Sequence, residues 1–141
     1  MAKRLEDAII ALQGLVSEID GIRDAPSEPP EKITTWPFAV AFPGDGEWIF
    51  GDASYDTGLH TLILQIHTAR KDLPRDVLGI IDYGELVREK IRSNSNIFLP
   101  DTTGAATVSA VIGLRYTFGF LSYGGVPTLG WAFEVDIKIE D

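Results

Sequence analysis

Apolar residues recur at three- and four-residue steps through Leu5, Ala8, Ile9, Leu12, Leu15, Val16, Ile19 and Ile22. That spacing predicts one amphipathic helix of about five turns. Gly21 and Pro26 mark its end. The stretch from Asp24 to Lys32, with Pro26, Pro29 and Pro30, reads as an extended connector too short to divide domains. From Trp36 the period changes to two. Phe38, Val40 and Phe42 alternate with alanines in a short strand, which a turn at Pro43-Gly44-Asp45-Gly46 is expected to close. Glu47 to Tyr55 reads as a ragged strand or hairpin arm. Leu59 to Thr68 is apolar on both sides, with Leu62, Leu64 and Ile66 on one face and Leu59 and Ile63 on the other. Such a strand belongs in the centre of a sheet.

The helical period returns after Pro74, where Val77, Ile80, Ile81, Gly84, Val87 and Ile91 form one stripe up to Arg92. Pro74 suits a first helical turn, and Ser93-Asn94-Ser95-Asn96 ends the pattern. The clearest signal comes last. Val108, Ala110, Ile112, Leu114, Tyr116, Phe118 and Phe120 alternate with Ser109, Val111, Gly113, Arg115, Thr117 and Gly119. After Tyr123-Gly124-Gly125 the alternation resumes in Leu129, Trp131, Phe133, Val135, Ile137 and Ile139. Two long arms around a glycine turn predict an antiparallel hairpin. The fold class is therefore α+β: a small, mostly antiparallel sheet, two main helices packed on one face, and a long C-terminal hairpin.

Each hairpin arm of about 13 residues spans roughly 43 Å, against a diameter of roughly 37 Å for a compact domain of this size. The hairpin therefore reaches past its own core, or bends around it at Gly113, Gly119 and Gly130. A strand edge that projects needs a partner to cover it, which points towards an oligomer.

Composition narrows the function. The 141 residues fit one domain, 1–141, and a hydrophobic fraction of 45% is enough for a core. There is no cysteine, so neither disulfides nor thiolate metal sites can form. No apolar run approaches the length of a membrane helix. The acids and polar residues of the first seven positions do not suit a signal peptide, so a cytoplasmic protein is expected. The net charge of −9, with basic residues scattered, argues against specific nucleic-acid binding.

Candidate chemistry is sparse. His60 and His67 are the only histidines, and their odd spacing on one strand sends them to opposite faces. A metal would need carboxylates, and Asp45 with Glu47 or Asp52 with Asp56 lacks the ligand spacing of a calcium loop. No serine sits in a nucleophile elbow, and the glycine turns do not open a phosphate-binding helix. A non-catalytic role without cofactor follows. Trp36 and Trp48, at the borders of a Pro- and Gly-rich region, and Tyr123 at the hairpin tip are of the residue types that anchor protein interfaces. Trp131, on the apolar face of the hairpin, reads as core.

The order of these parts resembles the tail terminator (tail completion) proteins of long-tailed bacteriophages. The resemblance is carried by the helix Leu5 to Ile22 and the Pro-rich link into Trp36-Pro37-Phe38-Ala39-Val40-Ala41-Phe42-Pro43. It continues in the strand-to-helix passage Leu62-Ile63-Leu64-Gln65-Ile66-His67-Thr68-Ala69-Arg70-Lys71-Asp72-Leu73-Pro74. Arg115-Tyr116-Thr117-Phe118-Gly119, Tyr123-Gly124-Gly125 and the strand Trp131 to Ile139 complete it. It covers nearly the whole chain but includes no invariant motif.

The resemblance implies a virion structural protein of the tail and neck, assembled in the host cytoplasm. Copies form a ring, typically a hexamer, that caps the tail tube, stops its polymerisation and meets the head-completion (stopper) protein. DNA passes through the lumen without specific binding, and an acidic subunit would not hold it. Gly44 to Tyr55, including Asp45, Trp48 and Tyr55, and Ile97 to Ala106 would be loops for the tube or stopper. The second helix and the hairpin would face neighbouring subunits. The alternatives are another neck or tail protein (stopper, tube or baseplate adaptor), or a small ligand-binding or enzymatic domain using the region from Trp36 to Tyr55 as a pocket.

Overall fold

The computed structural model describes residues 4–19, 22, 37–51, 56–68, 81–93 and 107–140. They form two helices, α1 (Arg4–Val16) and α2 (Asp82–Ser93), and four strands, β1 (Phe38–Phe50), β2 (Asp56–Thr68), β3 (Thr107–Tyr123) and β4 (Val126–Glu140). The strands make one antiparallel sheet in the order β1-β2-β4-β3, an α+β architecture. Among the described residues no helix is long and apolar enough to cross a membrane.

The sheet has one apolar face. Cross-strand pairing puts Ala39 and Ala41 of β1 beside Ile66 and Leu64 of β2, and these beside Trp131 and Phe133 of β4. They join Leu62, Val135, Ile137 and Ile139 in a single buried cluster with Leu12, Leu15 and Val16 of α1 and Val87 and Ile91 of α2. The central position of β2, between β1 and β4, explains its apolar residues on both sides: Leu59 and Ile63 are themselves half-buried on the second face.

The helix ends follow local chemistry. α1 stops at Val16, six residues before the apolar stripe does. The chain tightens there into three-residue steps, with Glu18 N donating to Leu15 O and Ile19 N to Val16 O. The Ser17 hydroxyl donates to Gly14 O at 2.6 Å, which competes with helix continuation. Ile19 remains in the core after the helix has ended. α2 carries Asp82 and Glu85 in its first turn and Lys90 and Arg92 in its last, matching the helix dipole at both ends. The expected start of this second helix at Pro74, and its residues Val77 and Ile80, lie outside the described residues.

Two departures from the sequence pattern shape the sheet. The turn expected at Pro43-Gly44-Asp45-Gly46 is not a turn: β1 runs through it, paired to β2 on both sides, and absorbs one extra residue as a bulge between Pro43 and Gly46. Bulges and turns favour the same residues, and here the glycines serve close approach. A Cβ on Gly44 would lie 2.9 Å from Thr61 O, and one on Gly46 would lie 2.5 Å from the His60 ring. In β3, register shifts at 108/110 and 111/113 reset the alternation, so Ile112 leaves the apolar row to which its spacing assigns it. The β3–β4 connection is a two-residue turn at Gly124-Gly125, with φ of 57° and 81°, the conformation that favours glycine.

Candidate functional site

The two outer strands are where this sheet meets its surroundings. Neither β1 nor β3 has a second partner strand among the described residues. The first four residues of β1 are buried, but Pro43 to Phe50 are all exposed. That half carries two acids, Asp45 and Glu47, and three large apolar residues, Trp48, Ile49 and Phe50. Phe50 is 80% exposed and Trp48 63%. On the other edge, Tyr116 and Phe120 belong to the apolar face by register but are each 64% exposed, and Ile112 is 59% exposed. Large apolar side chains exposed on both edges are what a covering partner removes from water.

Among the described residues, the ring contact of Trp48 is to His60. Trp48 pairs with Gly58 of β2, while its neighbour on the same face, His60, pairs with Gly46. The two rings therefore lie diagonally over two glycines, 5.2 Å apart and edge to face. A Cβ on Gly58 would also come within 2.5 Å of the imidazole. Burial lowers the His60 pKa. His60 also lines a cleft of about 350 Å³ with Asp45, Glu47, Thr61, Ile112 and Asp136. A second groove, of about 170 Å³, runs between the last turns of α2 and β3, floored by Ile91, Val111 and Leu114 and rimmed by Arg88 and Arg92.

The second face of the sheet is polar at its β3–β4 side. Arg115 bridges Glu134, at 2.8 Å, and Asp136, at 2.6 Å. Asp136 in turn accepts from the Thr61 hydroxyl at 2.7 Å. Burial opposes ionisation of Asp136, but the Thr61 hydroxyl and the Arg115 guanidinium outweigh it and hold the carboxyl below its usual range. Asp136, then Glu134, raises the Arg115 pKa. The network is a fixed polar surface in which one guanidinium is held by two carboxylates, leaving a net negative charge.

His67 sits at the opposite end of that face, fully buried. Oε1 of Gln65 can only accept, so His67 Nε2 carries the ring proton and donates at 2.9 Å. The Thr128 hydroxyl then donates to Nδ1 at 2.6 Å. Burial pushes the His67 pKa down to about 4. This histidine is a neutral structural member of the core.

The residues singled out in the sequence fall in different places. Asp45 and Trp48 share the exposed half of β1. Tyr123 is half-buried, its ring 5.3 Å from Phe38 and 5.6 Å from His67, so it is engaged inside the subunit. Trp36 and Tyr55 lie outside the described residues, as do Asp52 and the segment from Ile97 to Ala106. Among the described residues no group of three or more His, Asp or Glu side chains could hold a metal ion. The exposed aromatics of β3 and the Arg88–Arg92 groove carry no distinguishing signal in the sequence, since alternation alone does not tell an edge strand from a covered one.

No protein-family model matches this chain, and no curated protein matches it in sequence.

Proposed function

We propose that this chain is a non-catalytic assembly subunit, a tail terminator of a long-tailed bacteriophage. Its copies close into a ring, probed most simply as a hexamer, which caps the tail tube and meets the stopper protein. The observation that carries the reading is the exposure of large apolar residues on both edges of one sheet: Trp48, Ile49 and Phe50 on β1, and Ile112, Tyr116 and Phe120 on β3. A subunit with two different edges to cover, and helices over one face, is suited to repeat around an axis. The other face carries the Arg115, Glu134 and Asp136 network and lines the lumen in this reading. Its one guanidinium is already held by two carboxylates, and the whole chain carries −9, so this face offers passing DNA no free guanidinium. The protein forms in the host cytoplasm and ends in the virion, at the neck of the tail.

The test is polymerisation of the tail-tube subunit with and without this protein. A terminator stops elongation at substoichiometric amounts and narrows the distribution of tube lengths. Tube growth that proceeds unchanged at equimolar protein contradicts the reading.

A further inference from the structure

We propose that the exposed end of β1 in one copy docks along β3, and into the α2–β3 groove, of the next copy, so that successive copies build one continuous antiparallel sheet. The proposal rests on the ring reading and specifies its interface.

Topology comes first. Each neighbouring pair in β1-β2-β4-β3 is antiparallel, so β1 and β3, three steps apart, run in opposite directions. A second copy generated by rotation about an axis along the strands keeps its strand directions. Its β1 therefore arrives antiparallel to the first copy's β3. The helix-covered faces also stay on one side. Pairing β1 with β1, or β3 with β3, would need a two-fold axis instead and would stop at a dimer if only one edge type paired.

Level comes second. One row across the sheet runs Gly46, His60, Ile137, Val111, and the next on the same face runs Trp48, Gly58, Ile139, Val108. The exposed end of β1 and the groove beside Val111 therefore lie at the same height on opposite edges. Rotation brings them together with little slip along the strands.

Chemistry comes third. Trp48 and Phe50 alternate onto the helix-covered face, the face that holds the groove. The groove floor is apolar, formed by Ile91, Val111 and Leu114, and its rim is basic. The arriving strand presents Trp48 and Phe50 to that face, while Glu47, paired with Leu59, lies on the other face and Asp45 sits in the bulge at the edge. Arg88 holds an exposed partner in Glu85 at a loose 3.4 Å, an attraction worth little in water and easily exchanged. An indole under a guanidinium meets both features of the groove at once, and the acids along the arriving edge add a longer-range attraction to the basic rim.

Charge reversal tests this. One variant carries Arg88→Glu with Arg92→Glu, and the other Asp45→Lys with Glu47→Lys, all at exposed positions. Both are checked for unchanged circular dichroism, and self-association is read by sedimentation velocity. Each alone is expected to weaken association by roughly tenfold or more. An equimolar mixture restores it, because each reversed edge then meets its complement, and a chain with all four reversals assembles by itself.

Chemical cross-linking decides independently, should either pair fail to fold. The chain has no cysteine, so Ile49→Cys with Ile112→Cys introduces the only thiols, at two exposed positions and with Trp48 left in place. A short bis-maleimide then yields a ladder of trimers and higher species from the double variant and no ladder beyond dimers from either single one. Association unaffected by reversal, or no ladder, overturns this interface. If rings still form in those experiments, the ring reading survives without it. A wild-type chain that stays monomeric, alone and on tube ends, overturns both.

Discussion

Gly84 of α2 lies flat against the indole of Trp131 in β4: a Cβ at Gly84 would come within 2.5 Å of the ring. Trp131 is itself packed between Phe118 and Phe133, with ring centroids at 5.0 and 5.6 Å, so it has no direction in which to yield. The missing side chain sets how closely the helix approaches the sheet. Helix propensity alone makes Gly84→Ala stabilising by about 1 kcal/mol, whereas overpacking costs about 1–3 kcal/mol. Contact is expected to win. Urea denaturation should show a net loss of about 1 kcal/mol, and a gain would mean that α2 sits farther from the sheet.

The same reasoning applies across the sheet at Gly46, whose absent side chain leaves room for the His60 ring. Gly46→Ala should destabilise by about 1–3 kcal/mol in the wild-type background. In a His60→Ala background the same change should cost less, because the ring it meets first is gone, while the backbone contacts to Leu59 O at 3.0 Å and His60 Cα at 3.1 Å remain. A double-mutant cycle measures the difference. Additive effects would separate the two residues.

His67 gives the stability a pH dependence of known sign. Its folded pKa is about 4, below the 6.5 of an exposed histidine. Above pH 6.5 the ring is neutral in both states and the contribution is complete. As pH falls from 6.5 towards 4, the unfolded chain takes up a proton that the folded chain refuses, and stability is lost. The loss amounts to at most about 3 kcal/mol. Unfolding free energies measured between pH 7 and 4 should follow this slope, and His67→Gln should flatten it.

Gln13 tests the bond between α1 and the sheet. It is buried, and its Nε2 donates to Ala39 O at 3.2 Å. Gln13→Glu replaces that donor with a carboxylate facing a carbonyl, and should cost about 2–4 kcal/mol at neutral pH. Protonation restores a donor, so the penalty relative to wild type at the same pH should shrink as pH falls towards 4. Chemical denaturation at two pH values checks both parts.

How far the sequence could be read depends on where each signal originates. Period-two alternation in Leu129 to Ile139 reflects a strand with one covered face, and those six residues are all buried. The stripe from Leu5 to Val16 likewise reflects one covered side of a helix. The bulge at Gly44 and Asp45 was illegible because a turn and a bulge select the same small and acidic residues; only the continuing pairing to β2 tells them apart. The place of Ile112 is hidden because a register shift breaks alternation without changing residue type. The edge positions of β1 and β3 depend on strand order, which is a property of distant pairings. Trp48 is marked by residue type alone, whereas Tyr116 and Phe120 alternate in the same way as the buried residues of β4 and differ from them only in lying on an edge strand.

The most direct test of the central claim is electron microscopy of the purified protein, alone and mixed with polymerised tail tubes. Rings with a central hole, or single-ring caps on tube ends, are the expected result. A protein that stays monomeric at high concentration and leaves the tube ends bare contradicts it.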